Sequence, residues 1–87
     1  MYAVRYDARV LGDLTSLSKT TRDQIQKAIK EKLTTSPEIF GKPLRCSLLG
    51  FRSLRVGDYR VIYIIEKTTV MVFFIGHRSI VYKIIEK

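Results

Sequence analysis

The chain has 87 residues, 46% of them hydrophobic, and its 16 Lys and Arg outnumber eight Asp and Glu for a formal net charge of +8. That length predicts a single domain over residues 1–87, and the apolar content argues for a folded chain rather than a disordered one. No apolar run approaches the roughly 20 residues of a membrane span, no signal-peptide pattern opens the chain, and the lone Cys46 permits no internal disulfide. These features predict a reducing, cytoplasmic setting. One histidine excludes the common Cys/His zinc patterns, and neither a metal nor another cofactor is expected. The charge attracts polyanions in general: nucleic acid, ribosome, anionic membrane or acidic protein. Its placement on the fold must separate these from an ordinary lysine-rich surface.

The elements follow in chain order. Tyr2 to Tyr6 reads as a short strand. Asp7 can cap the helix after it, in which Val10, Leu11, Leu14 and Leu17 form an apolar stripe. A break at Ser18-Lys19-Thr20 precedes a second helix, where Thr20 and Asp23 have the spacing of a capping box. Ile25, Ala28, Ile29 and Leu33 line its apolar face, and Ser36-Pro37 ends it. The segment 37–45 reads as a loop. The period then changes to two, with strands at about Cys46 to Val56, Tyr59 to Glu66 and Val70 to Ile75. Gly57-Asp58 fits a type II′ hairpin turn, Lys67-Thr68-Thr69 joins the last two strands, and Ser79 to Lys87 is a short helix or an extended tail. The predicted class is α+β: an N-terminal strand and a helical hairpin packed on an antiparallel sheet, in the order β-α-α-β-β-β.

The hairpin fixes a register. With a two-residue loop, Val56 pairs with Tyr59, Arg55 with Arg60, Leu54 with Val61 and Arg52 with Tyr63. Two arginines face to face repel by some tenths of a kcal/mol, and an anion between them reverses that sign. Alternatively both splay into water or are neutralised by Asp58 and Glu66. The last strand adds His77, Arg78 and Tyr82 within six positions. His77 can move protons, Arg78 can stabilise a pentavalent phosphorus centre, and Tyr82 can stack on a base or, if its pKa is lowered, act as an acid/base group. Alone, His77 is more often a solvent-facing strand end and Tyr82 an apolar plug, whereas Arg78 is hard to explain as packing. Cys46 has no histidine near it in sequence, and Asp58 and Glu66 fall at opposite ends of one strand, which argues against a carboxylate–metal nuclease.

Several runs now resemble a known family. Phe40-Gly41-Lys42-Pro43-Leu44, Leu48-Leu49-Gly50 and Ser53 through Tyr63 are similar to the core signature of the RelE/ParE toxin superfamily, and Ile75-Gly76-His77-Arg78 with Val81-Tyr82 resembles its C-terminal signature. The resemblance spans nearly the whole chain. Its RelE-like branch implies a ribosome-dependent, metal-independent endoribonuclease that cleaves mRNA in the ribosomal A site. It implies Arg60 and Arg78 as phosphate and transition-state arginines and Tyr82 as the functional tyrosine. His77 or Tyr82 serves as general base; Tyr82 is preferred because in a straight strand His77 points opposite to Arg78. Arg52, Arg55, Lys42 and Arg45 are the RNA-binding candidates. Phe51-Arg52-Ser53 stands where several RelE proteins carry lysines. The implied partners are the ribosome, mRNA and a cognate acidic, RelB-like antitoxin, with no membrane. The rival branch is a ParE-like inhibitor of DNA gyrase, which needs no Arg/Arg/Tyr set; a third reading is a relative that only grips RNA or antitoxin.

Overall fold

The computed structural model describes residues 1–44 and 50–85, of which 82–85 are described by their backbone alone. The elements are β1 (Ala3–Tyr6), α1 (Ala8–Thr15), α2 (Lys19–Ala28) running into a π-helical turn (Ile29–Leu33), α3 (Pro37–Phe40), β2 (Lys42–Pro43), β3 (Phe51–Val56), β4 (Tyr59–Glu66), β5 (Thr69–His77) and α4 (Arg78–Ile85). One five-stranded sheet has the order β1-β5-β4-β3-β2, with β1 parallel to β5 and the other pairs antiparallel. No described helix is long and apolar enough to cross a membrane.

The helical hairpin covers one sheet face. Asp7 caps α1 as expected, its Oδ1 accepting the Arg9 amide at 3.0 Å. The second cap is Ser18, not Thr20: its extended backbone ends the linker, and its Oγ accepts the Thr21 amide at 3.3 Å. In α1, Val10 and Leu14 are buried while Leu11 faces solvent, so the stripe is narrower than its four apolar residues suggested. In the second helix Ile25, Ile29 and Leu33 are buried at a spacing of four and Ala28 packs beside them. Thr35 Oγ1 donates to the Glu31 carbonyl at 2.8 Å, and Thr34 Oγ1 bonds to that of Lys30, satisfying carbonyls the ending helix leaves open. Pro37 then starts α3, a single turn within the segment read from sequence as loop, and Lys42–Pro43 adds an edge strand. The expected strand residues Cys46 to Leu49 lie outside the described residues; the described strand begins at Phe51.

The β3–β4 register is as expected, with Arg55 opposite Arg60 and Arg52 opposite Tyr63. Gly57 has φ +60° and Asp58 does not have positive φ, the pattern of a II′ turn. Leu54, Val56, Val61, Tyr63, Val70, Val72 and Ile75 therefore face the hairpin and form the core with its helices. The β4–β5 register shifts between Ile62 and Tyr63, where Tyr63 pairs with Val72 and Ile62 with Phe74, so Phe73 is an extra residue on β5.

The loop before β2 is locked from below. Tyr63 is fully buried, and its hydroxyl donates to the Pro37 carbonyl at 2.6 Å. A Cβ at Gly41 would lie 1.9 Å from that hydroxyl. Gly41→Ala is accordingly expected to destabilise the fold by about 2–4 kcal/mol, read as a lower urea midpoint, because the buried ring must shift and lose its bond. Burial also pushes the Tyr63 hydroxyl above its ordinary value of 10.0, and burial does the same to Tyr6. A raised folded value favours the neutral form in the native state. Stability is therefore kept below pH 10.0 and lost as the pH climbs through the folded values, and Tyr63→Phe should flatten that alkaline loss in chemical denaturation.

Candidate functional site

The parity of the strands sorts the candidate residues. Arg55 and Arg60 face away from the helical hairpin, and Gly76 follows Arg60 across β5. The next row on the same face runs Lys42, Ser53, Ile62 and Phe74, and the row beyond it Phe51, Ile64 and Met71. This open face thus has a basic end beside the Gly57-Asp58 turn and an apolar end where the Phe51 and Phe73 rings meet at 5.3 Å. Arg78, the first residue of α4, joins the basic end: its amide donates to the Asp58 carbonyl at 2.8 Å. The segment left open as helix or tail is a helix, and it packs on β4 and β5. Its Val81 is buried, 3.7 Å from where a Gly76 Cβ would stand, and Ile62 on this face is buried too. Such a Cβ would lie 2.7 Å from the Phe74 ring, so glycine at 76 leaves room for that ring.

The structure brings Arg55, Arg60, Lys42 and Arg78 to one face or its rim. Arg60 is half-buried with its Nη1 out of solvent. Arg55 is exposed and leans round the turn, where its Nε donates to the Gly57 carbonyl at 3.4 Å. There it borders a cavity of about 240 Å³ shared with Gln24, Lys27, Glu31 and Lys32 of the second helix. Tyr82 stands one turn after Arg78 in α4, its side chain outside the described residues, and Arg45 lies wholly outside them.

Two candidates go elsewhere. Arg52 has the opposite parity, and its guanidinium closes the end of α3: Nε donates to the Gly41 carbonyl at 3.1 Å, and Nη2 to Gly41 at 2.7 Å and Glu38 at 2.6 Å. Sequence placed it with the RNA-binding residues; these three bonds give it a structural task on the other face. His77 also faces the hairpin side, edge-on to Tyr59 with ring centroids 5.5 Å apart. The Phe73 bulge reverses the parity of β5 and sends it there. The signals missed were small: Gly41 before Lys42-Pro43, and Ser79 two residues after His77 at the head of an apolar run.

The family model described as "ParE toxin of type II toxin-antitoxin system, parDE" matches residues 4–82. Toxin RelG of Mycobacterium tuberculosis is 34% identical over 84 residues, covering 94% of this chain and 97% of that protein. The toxin–antitoxin complex RelBE2 of Mycobacterium tuberculosis is similar in structure with a TM-score of 0.84 at 34% identity, covering 90% of this chain and 92% of the solved one. The intact Escherichia coli RelBE complex gives a TM-score of 0.74 at 28% identity, covering 88% and 96% of the two chains. A small α+β domain of this topology, matched over residues 4–82, is a toxin of a type II toxin–antitoxin system. Within that class the chain belongs to the RelE/ParE superfamily and is RelE-like.

The two outer arginines of β3 differ in a way stability measures. Arg52→Gln is expected to cost about 1–3 kcal/mol, since it removes the donors to the part-buried Gly41 carbonyl and to that of Glu38. Arg55→Gln should stay within about 0.5 kcal/mol of the unmutated chain, as exposed substitutions do. Urea midpoints of the two variants make the comparison.

Proposed function

We propose that the chain is a ribosome-dependent endoribonuclease that cleaves mRNA in the A site and so inhibits translation. The observation that carries this is the convergence of Arg60 from β4 and Arg78 from α4 at one end of the open sheet face, with Lys42 on that face and Arg55 at its rim. Fixed guanidinium groups stabilise a phosphorus centre as negative charge builds on its oxygens. In this reading the 2′-hydroxyl of the message attacks the adjacent phosphorus and the bond to the 5′-oxygen breaks. Arg60 and Arg78 hold the phosphate oxygens, Tyr82 as its phenolate takes the 2′-hydroxyl proton, and the departing 5′-oxygen takes a proton from solvent water. Lys42 and Arg55, with Arg45, position the RNA backbone. No step requires a metal ion. The RelE and RelG names of relatives at 34% identity support the same reading.

The cognate partner in this proposal is an acidic antitoxin that folds on binding. Its support is the net charge of +8 and the toxin–antitoxin complexes among the similar structures. A second reading, gyrase inhibition, draws on the ParE family model matched over residues 4–82.

The deciding experiment is a translation extract with a defined message. Cleavage within ribosome-bound mRNA is expected, and Arg78→Ala should slow it about 10²–10³-fold, as removal of one transition-state donor does. Intact message beside active RelE controls, with inhibited supercoiling in a parallel gyrase assay, would establish the second reading instead. Expression of the chain without an antitoxin should arrest growth, measured as colony formation after induction; normal growth at high expression of the unmutated chain would count against toxicity.

A further inference from the structure

His77 ends β5 and stands immediately before α4. The Ser79 amide donates to its Nδ1 at 3.2 Å, and Ser79 Oγ lies 2.8 Å from the same nitrogen. An amide can only donate, so in this arrangement Nδ1 is bare and the ring is neutral with its proton on Nε2. This is N-cap geometry: an acceptor before the helix takes the amide of the second helical residue. The first helical amide, that of Arg78, goes to the Asp58 carbonyl at 2.8 Å. Two of the four donors that a helix start leaves open are thereby tied to the end of the sheet. The edge-on contact with Tyr59 fixes the plane of the imidazole that makes one of those ties.

We propose that His77 is a positioning residue whose neutral Nδ1 caps α4 and so holds the helix bearing Arg78 and Tyr82 at the Arg60 end of the sheet, while the imidazole itself transfers no proton. The inference rests on the nuclease reading for its effect on cleavage, not for the cap. Two observations oppose His77 as the general base. Its Nδ1 lone pair is occupied by Ser79. Its ring packs on Tyr59 on the hairpin side of the sheet, the face opposite to Arg60.

The test compares His77→Ala and His77→Asn with the unmutated chain. Asparagine supplies an N-cap oxygen but takes up no proton. Amide hydrogen exchange is read on the protein without ribosomes, with the β4 amides as a control for the fold, and single-message cleavage is read on programmed ribosomes. In His77→Ala the first-turn amides of α4 should exchange about fivefold faster, the effect of losing one cap. Its kcat should fall about tenfold with KM changed less than about twofold, since a displaced helix costs orientation rather than binding. His77→Asn should restore both to within about threefold. Asparagine that restores the exchange but leaves cleavage down about 10²-fold or more would make His77 a proton-transfer group and overturn the proposal. Unchanged exchange in His77→Ala would overturn the cap. If the unmutated chain cleaves no message, the nuclease reading fails on that result, while the exchange comparison still decides the cap.

Discussion

The Gly57-Asp58 turn leaves β3 and β4 a single register, and the distribution of chemistry over the two faces of the sheet follows from it. A slip of one residue would turn Val61 and Tyr63 outward and Arg60 into the core. Val61 and Tyr63 are both fully buried. Burying a large apolar side chain is worth about 1.5–3 kcal/mol, whereas two opposed arginines repel by only some tenths. Core burial therefore wins by a wide margin, and Arg55 and Arg60 must share the outer face. Arg55 leans to the Gly57 carbonyl with the register unchanged.

The same parity divides the arginines by task. Arg52 and Arg55 are three residues apart, so they cannot share a face of a regular strand. Arg52 spends its donors on carbonyls of α3 and the loop behind it, beside the Tyr63 hydroxyl that holds Pro37. One face of β3 thus anchors the connection from helix to sheet, and the other leaves Arg55 at the solvent. On β5 a single extra residue reverses the rule. Unbroken alternation from Val70 and Val72 would put Phe74 and Gly76 in the core and His77 outside. The bulge at Phe73 exchanges them: Ile75 and His77 face the hairpin, and Gly76 lies beneath α4.

These cases show what was legible in the sequence. Periodicity and turn chemistry are local, and they fixed the helical hairpin, the Asp7 cap and the β3–β4 register. Choices between near-equal local options were not legible. Ser18 and Thr20 are both good caps, and Ser18 wins because the linker is extended there and Thr21 is in reach. Leu11 belongs to the apolar stripe by spacing, but the hairpin is too narrow to cover it, and it stays 56% exposed. The bulge has no composition signal, since Phe73-Phe74 reads equally well as plain strand. Hence the straight-strand argument set His77 against Arg78 for the wrong reason: the two differ because one ends a bulged strand and the other begins a helix. Arg52 was grouped with Arg55 by charge, and only the carbonyls around it distinguish the two.

The proposed site joins a rigid part to a conditional one. Arg60 stands on β4, the central strand of the five-stranded sheet. Arg78 stands on a helix of eight residues, and isolated helices shorter than about 12–15 residues are marginal in water. The helical form of α4 is thus maintained by its docking: the Asp58 and His77 bonds at its start and the burial of Val81 over Gly76. The one-turn spacing between Arg78 and Tyr82 exists only while the segment is helical. Docking thus decides where the start of α4, and with it Arg78, stands relative to the end of β4 and β5, and the groups that hold α4 down set the geometry of the proposed site.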